Sequence, residues 1–175
     1  DDFFKVLLGK FPTIPIIAED LGIITQDVRD LMNHFNFPGM KILQFAFGDD
    51  MKNNPYLPHN YVQNCLVYTG THDNNTTRGW FEHDAREEEK INVAAYLSKT
   101  VSSKTIHWDL VRLAMSSAAD VAILPVQDVL GLGKQARMNV PGTLRGNWRW
   151  RLSAQSLKKT VVDELAALTS ETQRI

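Results

Sequence analysis

The stretch CLVYTGTHDNN, residues 65–75, decides the fold class, because a mainly apolar run passes directly into a polar cluster. Three other stretches repeat this arrangement, namely IPIIA at residues 14–18, MKILQFAF at 40–47 and VAILPV at 121–126. Runs that are apolar throughout, rather than alternating, are typical of strands buried on both faces, as in parallel sheets. Pro15 and Pro125 weaken two of these predictions, because proline cannot donate to a strand ladder. The sequence nevertheless predicts four parallel strands.

Helical patterns lie between the predicted strands. Apolar residues recur at helical spacing over residues 26–36, 108–119 and 157–168. A capping box that begins at Asp84 predicts a further helix over residues 85–98. Strands that alternate with helices are typical of a parallel α/β sheet or barrel, so the predicted fold class is α/β.

The composition limits which binding partners and which cellular compartment are expected. The 175 residues carry 19 lysines and arginines against 20 aspartates and glutamates, so the formal net charge is −1. This balance predicts no nucleic-acid partner and no attraction to an anionic membrane. The absence of a long apolar run and the single cysteine, Cys65, favour a soluble protein in a reducing compartment such as the cytoplasm. The chain starts within an apolar element, FFKVLL, without a methionine, which suggests a fragment.

Acids, amides or histidines follow every predicted strand. Since the carboxyl ends of parallel strands meet at one edge, Glu19 and Asp73 are expected to lie near each other there. Two such carboxylates suit glycosidic chemistry, in which one acid protonates the leaving oxygen and another stabilises an oxocarbenium-like state. A single acid at a strand end is more often a cap or turn residue, but four clusters favour a site. Asp20 is expected to point away from Glu19, because successive side chains alternate in an extended chain.

The neighbouring histidines and aromatic residues fit the same interpretation. His72 either hydrogen-bonds a sugar hydroxyl or is held by contacts of its own backbone. His59, His72 and His83 lack a recognisable metal-ligand spacing, so no metal or other cofactor is predicted. Aromatic rings near the strand ends could stack on sugars or fill the core, namely Phe45, Phe47, Tyr56, Trp80, Trp148 and Trp150.

Seven blocks of sequence together resemble the 4-alpha-glucanotransferases of glycoside hydrolase family 77, also called amylomaltases or disproportionating enzymes. They are AEDLG at 18–22, PGMKILQFAF at 38–47, NPYLPHN at 54–60, YTGTHDNNTTRGW at 68–80, PVQDVLGLG at 125–133, ARMNVPG at 136–142 and GNWRWR at 146–151. The resemblance implies the (β/α)8 TIM barrel of the α-amylase-like glycosidases, of which this chain would be the C-terminal half. Residues 1–151 would belong to the barrel, and residues 152–175 would form a C-terminal helix packed on it.

The resemblance also implies an activity. Enzymes of this family transfer α-1,4-glucan segments to glucose or to another glucan with retention of configuration. The implied partners are maltooligosaccharides, starch or glycogen-type glucans and glucose as acceptor, and no cofactor is needed. The implied location is the cytoplasm, or the plastid stroma in a plant or alga.

Site residues follow from the matched motifs. Glu19 of AEDLG corresponds to the acid/base, and Asp73 of THDN to the residue that binds sugar hydroxyls and stabilises the transition state, with the help of His72. The remaining implied positions contact substrate, namely Phe45, Asp49 and Asn139. One departure is local: Asn75 stands where the family usually has aspartate.

The larger departure from the family pattern concerns the nucleophile. In the family it is the aspartate of an Arg-Ile-Asp-His motif on the strand before AEDLG, and these 175 residues contain no such motif. We therefore expect the chain alone to lack transferase activity and to require the N-terminal half of its barrel as a partner. Two alternatives remain from the sequence, namely a hydrolase of the α-amylase kind and a non-catalytic fragment that binds glucan.

Overall fold

The computed structural model describes residues 1–174, in which three parallel strands form one sheet. Strand β1 spans Gly39–Ile42, β2 spans Cys65–Tyr68 and β3 spans Val121–Ile123, in the spatial order β1-β2-β3. The predicted α/β class with a parallel sheet is confirmed. Because the strands are parallel, their carboxyl ends share one edge of the sheet.

Helices occupy the segments between and after the strands. They are α1 (Asp2–Lys10), α2 (Gln26–His34), α3 (Thr77–Gly79), α4 (Glu87–Leu97), α5 (Ile106–Met115), α6 (Val126–Val129) and α7 (Lys159–Glu171). Short 3-10 turns cover Leu43–Phe45, Pro58–Asn60, Lys134–Ala136 and Ala154–Ser156, and a π-helical turn covers Trp80–Asp84. No helix in residues 1–174 has the length and apolar character needed to cross a membrane.

The prediction of a strand at residues 14–18 is wrong. This segment is extended but joins no sheet, and the amide of Ala18 donates a single hydrogen bond, 2.9 Å long, to the carbonyl of Pro38. A strand ladder needs repeated backbone bonds, and Pro15 removes one donor. The strand predicted at 121–126 ends early for a similar reason, since Pro125 caps the start of α6.

Two other predicted boundaries also shift. The strand predicted over residues 40–47 ends at Ile42, where the chain turns into a 3-10 helix. The helix predicted over 85–98 begins at Glu87, and its N-cap is Arg86 rather than Asp84. A capping box is present two residues further along, because the carboxylate of Glu89 accepts the amide of Arg86 at 2.7 Å.

The core lies where the sheet packs against α4 and α5. Its fully buried members include Leu43, Phe47, Leu57, Val67, Val93, Ile106 and Leu110. A smaller cluster joins α7 to α5 through Leu168, Val111 and Met115. Within residues 1–174, no strand pairs with the outer edge of β1 or β3. Val121 and Ile123 on β3 are 45% and 39% exposed, so this apolar edge of the sheet is open.

Candidate active site

A cavity of about 830 Å³ opens at the carboxyl edge of the sheet. Its walls come from the segment before α2, from the 3-10 turn after β1, and from the residues that follow β2 and β3. Four of the predicted site residues line it together, namely Glu19, Phe45, His72 and Asp73. Residues separated by more than fifty positions in sequence therefore meet at the edge where parallel α/β folds bind ligands.

The loop of residues 70–76, which we call the Asp73 loop, forms a tight turn directly after β2. The side-chain oxygen of Asn74 accepts both the amide and the hydroxyl of Thr71, each at 2.8 Å. Gly70 lets Gln44 approach closely where the loop begins, because an added Cβ would lie 2.5 Å from the side-chain nitrogen of Gln44 and would displace it. This turn presents His72 and Asp73 to the cavity.

One oxygen of the Asp73 carboxylate is held by neighbours. Asn139 donates its side-chain amide to Oδ1 of Asp73 at 2.5 Å, and Nε2 of His72 lies 3.2 Å from the same oxygen. The other oxygen, Oδ2, has no hydrogen-bond partner within residues 1–174, and the side chain is 46% exposed. Asp73 is therefore oriented on one side and available to a ligand on the other.

A second loop, residues 137–139, donates hydrogen bonds to backbone carbonyls of the Asp73 loop. Arg137 donates from Nη2 to the carbonyl of Asp73 at 2.7 Å and from Nε to the carbonyl of Asn139 at 2.8 Å. The amide of Asn139 in turn donates to the carbonyl of His72 at 3.1 Å. The resemblance pointed to Asn139, but it did not single out Arg137, whose only signal is its place in the same ARMN block.

Glu19 and Asp20 lie on opposite sides of the chain, as the alternation of an extended segment predicts. Glu19 is exposed and lines the cavity. Asp20 instead accepts the amide of Met40 at 2.6 Å and packs against Gly39, where an added Cβ would lie 2.6 Å from its carboxylate. Burial raises the pKa of Tyr68, and the negative charge of nearby Glu19 raises it further.

Aromatic rings form part of the cavity wall. Phe45 and Tyr56 pack edge to face with their ring centres 5.4 Å apart, and both line the cavity with Tyr68. The indole of Trp148 lies 5.1 Å from the ring of His72. Phe47 and Trp80 are instead buried in the core, so the aromatic residues divide between the two roles considered from the sequence. Tyr68 was not among the predicted site residues, although it ends β2 two residues before the Asp73 loop begins.

Asp49 lies outside this cavity. Its side chain is 84% exposed, and the nearest cation is the guanidinium of Arg86, at 3.8 Å. Its contact with substrate stays a prediction. Among residues 1–174, no group of three or more histidine, cysteine, aspartate or glutamate side chains is arranged to hold a metal ion.

Asn75 belongs to the Asp73 loop, but its side chain is buried and does not line the cavity. Its side-chain amide donates to the carboxylate of Asp84 at 3.0 Å, and its oxygen accepts the amide of Thr76 at 2.9 Å. Gly79 packs so closely that a Cβ there would lie 2.3 Å from this oxygen. The asparagine thus joins the Asp73 loop to the π-helical turn.

Asn75→Asp is expected to lower the free energy of unfolding by about 1–3 kcal/mol at neutral pH. The substitution removes the buried donor and places a second carboxylate against Asp84. Urea unfolding of the variant measures the change. The double variant Asn75→Asp with Asp84→Asn restores one donor and one acceptor, so it should recover most of the loss. Equal stability of all three proteins would contradict this account of Asn75.

Comparison with known proteins agrees with this geometry. The profile of a family described as 4-alpha-glucanotransferase matches residues 1–157. A 4-alpha-glucanotransferase of Synechocystis sp. is 50% identical over 171 residues, which cover 96% of this chain and 33% of that protein. The Thermus thermophilus 4-alpha-glucanotransferase is 45% identical over 181 residues, covering 100% of this chain and 36% of the relative.

A solved structure gives the same result. The amylomaltase from Streptococcus agalactiae, in complex with acarbose, superposes with a TM-score of 0.91 at 34% identity, over 97% of this chain and 34% of that one. The chain spans about a third of the length of the relatives named here. The match to the family profile extends over most of the sequence, and the chain belongs to glycoside hydrolase family 77, the 4-alpha-glucanotransferases.

Proposed function

We propose that this chain serves as the C-terminal half of the catalytic (β/α)8 barrel of a 4-alpha-glucanotransferase. The observation that carries the proposal is the cavity shared by Glu19 and Asp73 at the carboxyl edge of a parallel sheet, in a chain of this family. In this arrangement residues 1–151 belong to the barrel and residues 152–175 pack on its outside. Strands from the N-terminal half would pair with the open edges of the sheet, since a closed barrel has no free edge.

The proposed reaction moves an α-1,4-glucan segment with retention of configuration. In the first step Glu19 donates a proton to the glycosidic oxygen as its bond to C1 breaks, while a carboxylate of the N-terminal half attacks C1. In the second step Glu19 accepts the proton of an acceptor hydroxyl, whose oxygen displaces that carboxylate from C1. Asp73 stabilises the positive charge that develops at the sugar ring in both steps.

The cavity suits a glucan in its chemical character. Sugars present apolar ring faces and a rim of hydroxyls, and the walls offer Phe45, Tyr56 and Tyr68 beside the polar Asp73 loop. Maltooligosaccharides and starch- or glycogen-type glucans are the proposed donors, and glucose or another glucan is the acceptor. This acid–base chemistry requires no cofactor.

We place the protein in the cytoplasm, or in the plastid stroma if its source is a plant or an alga. The plastid location is supported by two plant relatives, from Solanum tuberosum and Arabidopsis thaliana, which are described as chloroplastic/amyloplastic.

A chimeric enzyme tests the proposal. This chain replaces the matching segment of the Synechocystis 4-alpha-glucanotransferase, to which it is 50% identical. The chimera is expected to convert maltotriose into glucose and longer maltodextrins, whereas the 175-residue chain alone should release no product. Circular dichroism and a melting curve show that each protein is folded. A folded chimera that binds maltoheptaose without converting it would contradict the proposal and favour a glucan-binding fragment.

The same assay separates transfer from hydrolysis. Disproportionation leaves the number of reducing ends unchanged, because each glycosidic bond that breaks is replaced by another. Hydrolysis adds one reducing end for every bond cleaved. A rise in reducing ends equal to the glucose released would therefore assign the cavity to a hydrolase of the α-amylase kind.

A further inference from the structure

Asp128 lies buried beneath the Asp73 loop, and the proposed chemistry does not use it. The residue belongs to α6 and is 1% exposed. Its Oδ2 accepts the hydroxyls of Thr69 at 2.5 Å and Thr77 at 2.8 Å. Its Oδ1 accepts the backbone amide of Thr77 at 2.7 Å. Both carboxylate oxygens are thus occupied by donors from two positions only.

These two positions are the residues on either side of the Asp73 loop. Thr69 directly follows the last residue of β2, and Thr77 is the first residue of α3. Both threonines are fully buried. One carboxylate therefore joins the beginning and the end of the loop, and its size sets the separation between them. The side chain of Gln44 adds a third attachment, because it donates to the carbonyl of Asn75 at 2.9 Å.

Filling this space with a carboxylate is energetically unfavourable. Removing the charge from water is unfavourable, and replacing buried ionic groups with apolar ones of similar size is often neutral or stabilising. Burial raises the pKa of Asp128, and the three donors oppose that shift. What an apolar side chain could not supply is three directed hydrogen bonds that fix the two ends of one loop.

We propose that Asp128 is a positioning residue, which holds the Asp73 loop in the geometry that transfer requires. The inference rests on the proposed function, because it assigns Asp128 an effect on the reaction through Asp73. A displacement of about 1 Å at a reacting group can lower a rate by about a hundredfold. A loop with one end released would retain its residues but lose their alignment.

Two substitutions of Asp128 test whether the reaction depends on the hydrogen bonds that this side chain forms. Asp128→Ala removes all three acceptors. Asp128→Asn can keep the arrangement, because its carbonyl accepts the amide of Thr77 and its NH2 group donates to the two hydroxyls, which rotate to accept. In the chimera we expect Asp128→Ala to lower kcat for maltotriose by about tenfold or more, with KM changed by less than about threefold. Asp128→Asn is expected to recover most of that loss.

The matched control is Asp109→Ala, which removes a largely buried carboxylate on α5 that bonds to Lys99 at 2.6 Å. It should lower the melting temperature without changing kcat per folded molecule. Asp128→Ala behaving in the same way would overturn the proposal, and so would Asp128→Asn being as slow as Asp128→Ala. An inactive parent chimera would instead count against the proposed function itself.

If Asp128→Ala does not fold, Thr69→Val gives a milder test. It removes one hydroxyl from the Asp128 site and keeps the size of the side chain. A kcat per folded molecule lowered by about threefold or more would support the proposal, and the melting temperature should also fall because Oδ2 of Asp128 loses one of its two donors. An unchanged kcat would overturn it.

Discussion

Replacing Glu19 by glutamine in the chimeric enzyme should lower glucan transfer by about a thousandfold, while binding of maltoheptaose is retained. Glutamine has nearly the same size as glutamate and fills the same place on the cavity wall, so ground-state contacts with the sugar persist. It can neither donate the proton that the leaving oxygen requires nor accept the proton of the incoming hydroxyl. Initial rates with maltotriose and calorimetry with maltoheptaose measure the two effects.

A substrate that needs no proton makes this test sharper. In α-maltotriosyl fluoride the leaving group departs as fluoride, so the first step no longer depends on Glu19. Glu19→Gln should therefore slow the fluoride release of the first turnover far less than it slows conversion of maltotriose, whereas later turnovers wait for the second step. Azide, which attacks C1 without a general base, should speed the second step in the variant only. With azide present, neither step with the fluoride depends on Glu19, so equal losses with both substrates under that condition would show that Glu19 is not the acid/base.

Asp20→Asn is the matched control for Glu19→Gln. It changes the same functional group one residue further along, at a side chain that faces β1 rather than the cavity. The asparagine oxygen can still accept the amide of Met40, a bond of 2.6 Å in the parent chain. We expect transfer within about threefold of the parent, since this side chain does not line the cavity.

The parts of the fold that follow from the local pattern of apolar and polar residues could be predicted from the sequence. The apolar run at 65–69, followed by a polar cluster, indicated a buried parallel strand, and β2 lies there with a neighbour on each side. The same logic placed Glu19 and Asp73 at one edge, where the structure brings both to one cavity. The strand predicted at 14–18 failed because apolar character does not create a pairing partner. Within residues 14–18, only the bond from the amide of Ala18 to the carbonyl of Pro38 reaches the start of β1, while the amide of Ile14 donates to nearby Phe11.

Residues that support the site were harder to find, because their contacts connect distant parts of the chain. Asp128 bonds to Thr69 and Thr77, which lie 59 and 51 residues earlier, and Arg137 bonds to the carbonyl of Asp73 across 64 residues. These residues lie within the blocks that resemble the family, but neither periodicity nor spacing shows which of them pair. Polar residues with one specific distant partner look, in sequence, like ordinary loop residues.

Asp73→Asn is the second substitution for which we expect a large effect, a loss of about 10²–10³-fold in kcat. Asparagine can keep its carbonyl at the position of Oδ1, where the amide of Asn139 donates at 2.5 Å. The loop therefore retains its attachments, and the change is confined to the negative charge and to the group at Oδ2. Because the sugar ring becomes positively charged only near the transition state, kcat and kcat/KM should fall together.

Asn139→Ala separates the effect of the Asp73 charge from the effect of the orientation of its carboxylate. It keeps the Asp73 carboxylate but removes the side-chain amide that donates to Oδ1, while Arg137 still bonds to the backbone carbonyl of Asp73 at 2.7 Å. We expect a smaller loss of about tenfold in kcat, because the charge remains and only its alignment is relaxed. If Asp73→Asn raised KM and left kcat unchanged, Asp73 would be a simple hydroxyl-binding residue. The order of the two losses therefore tests whether the Asp73 loop exists to place a charge or only to hold a sugar.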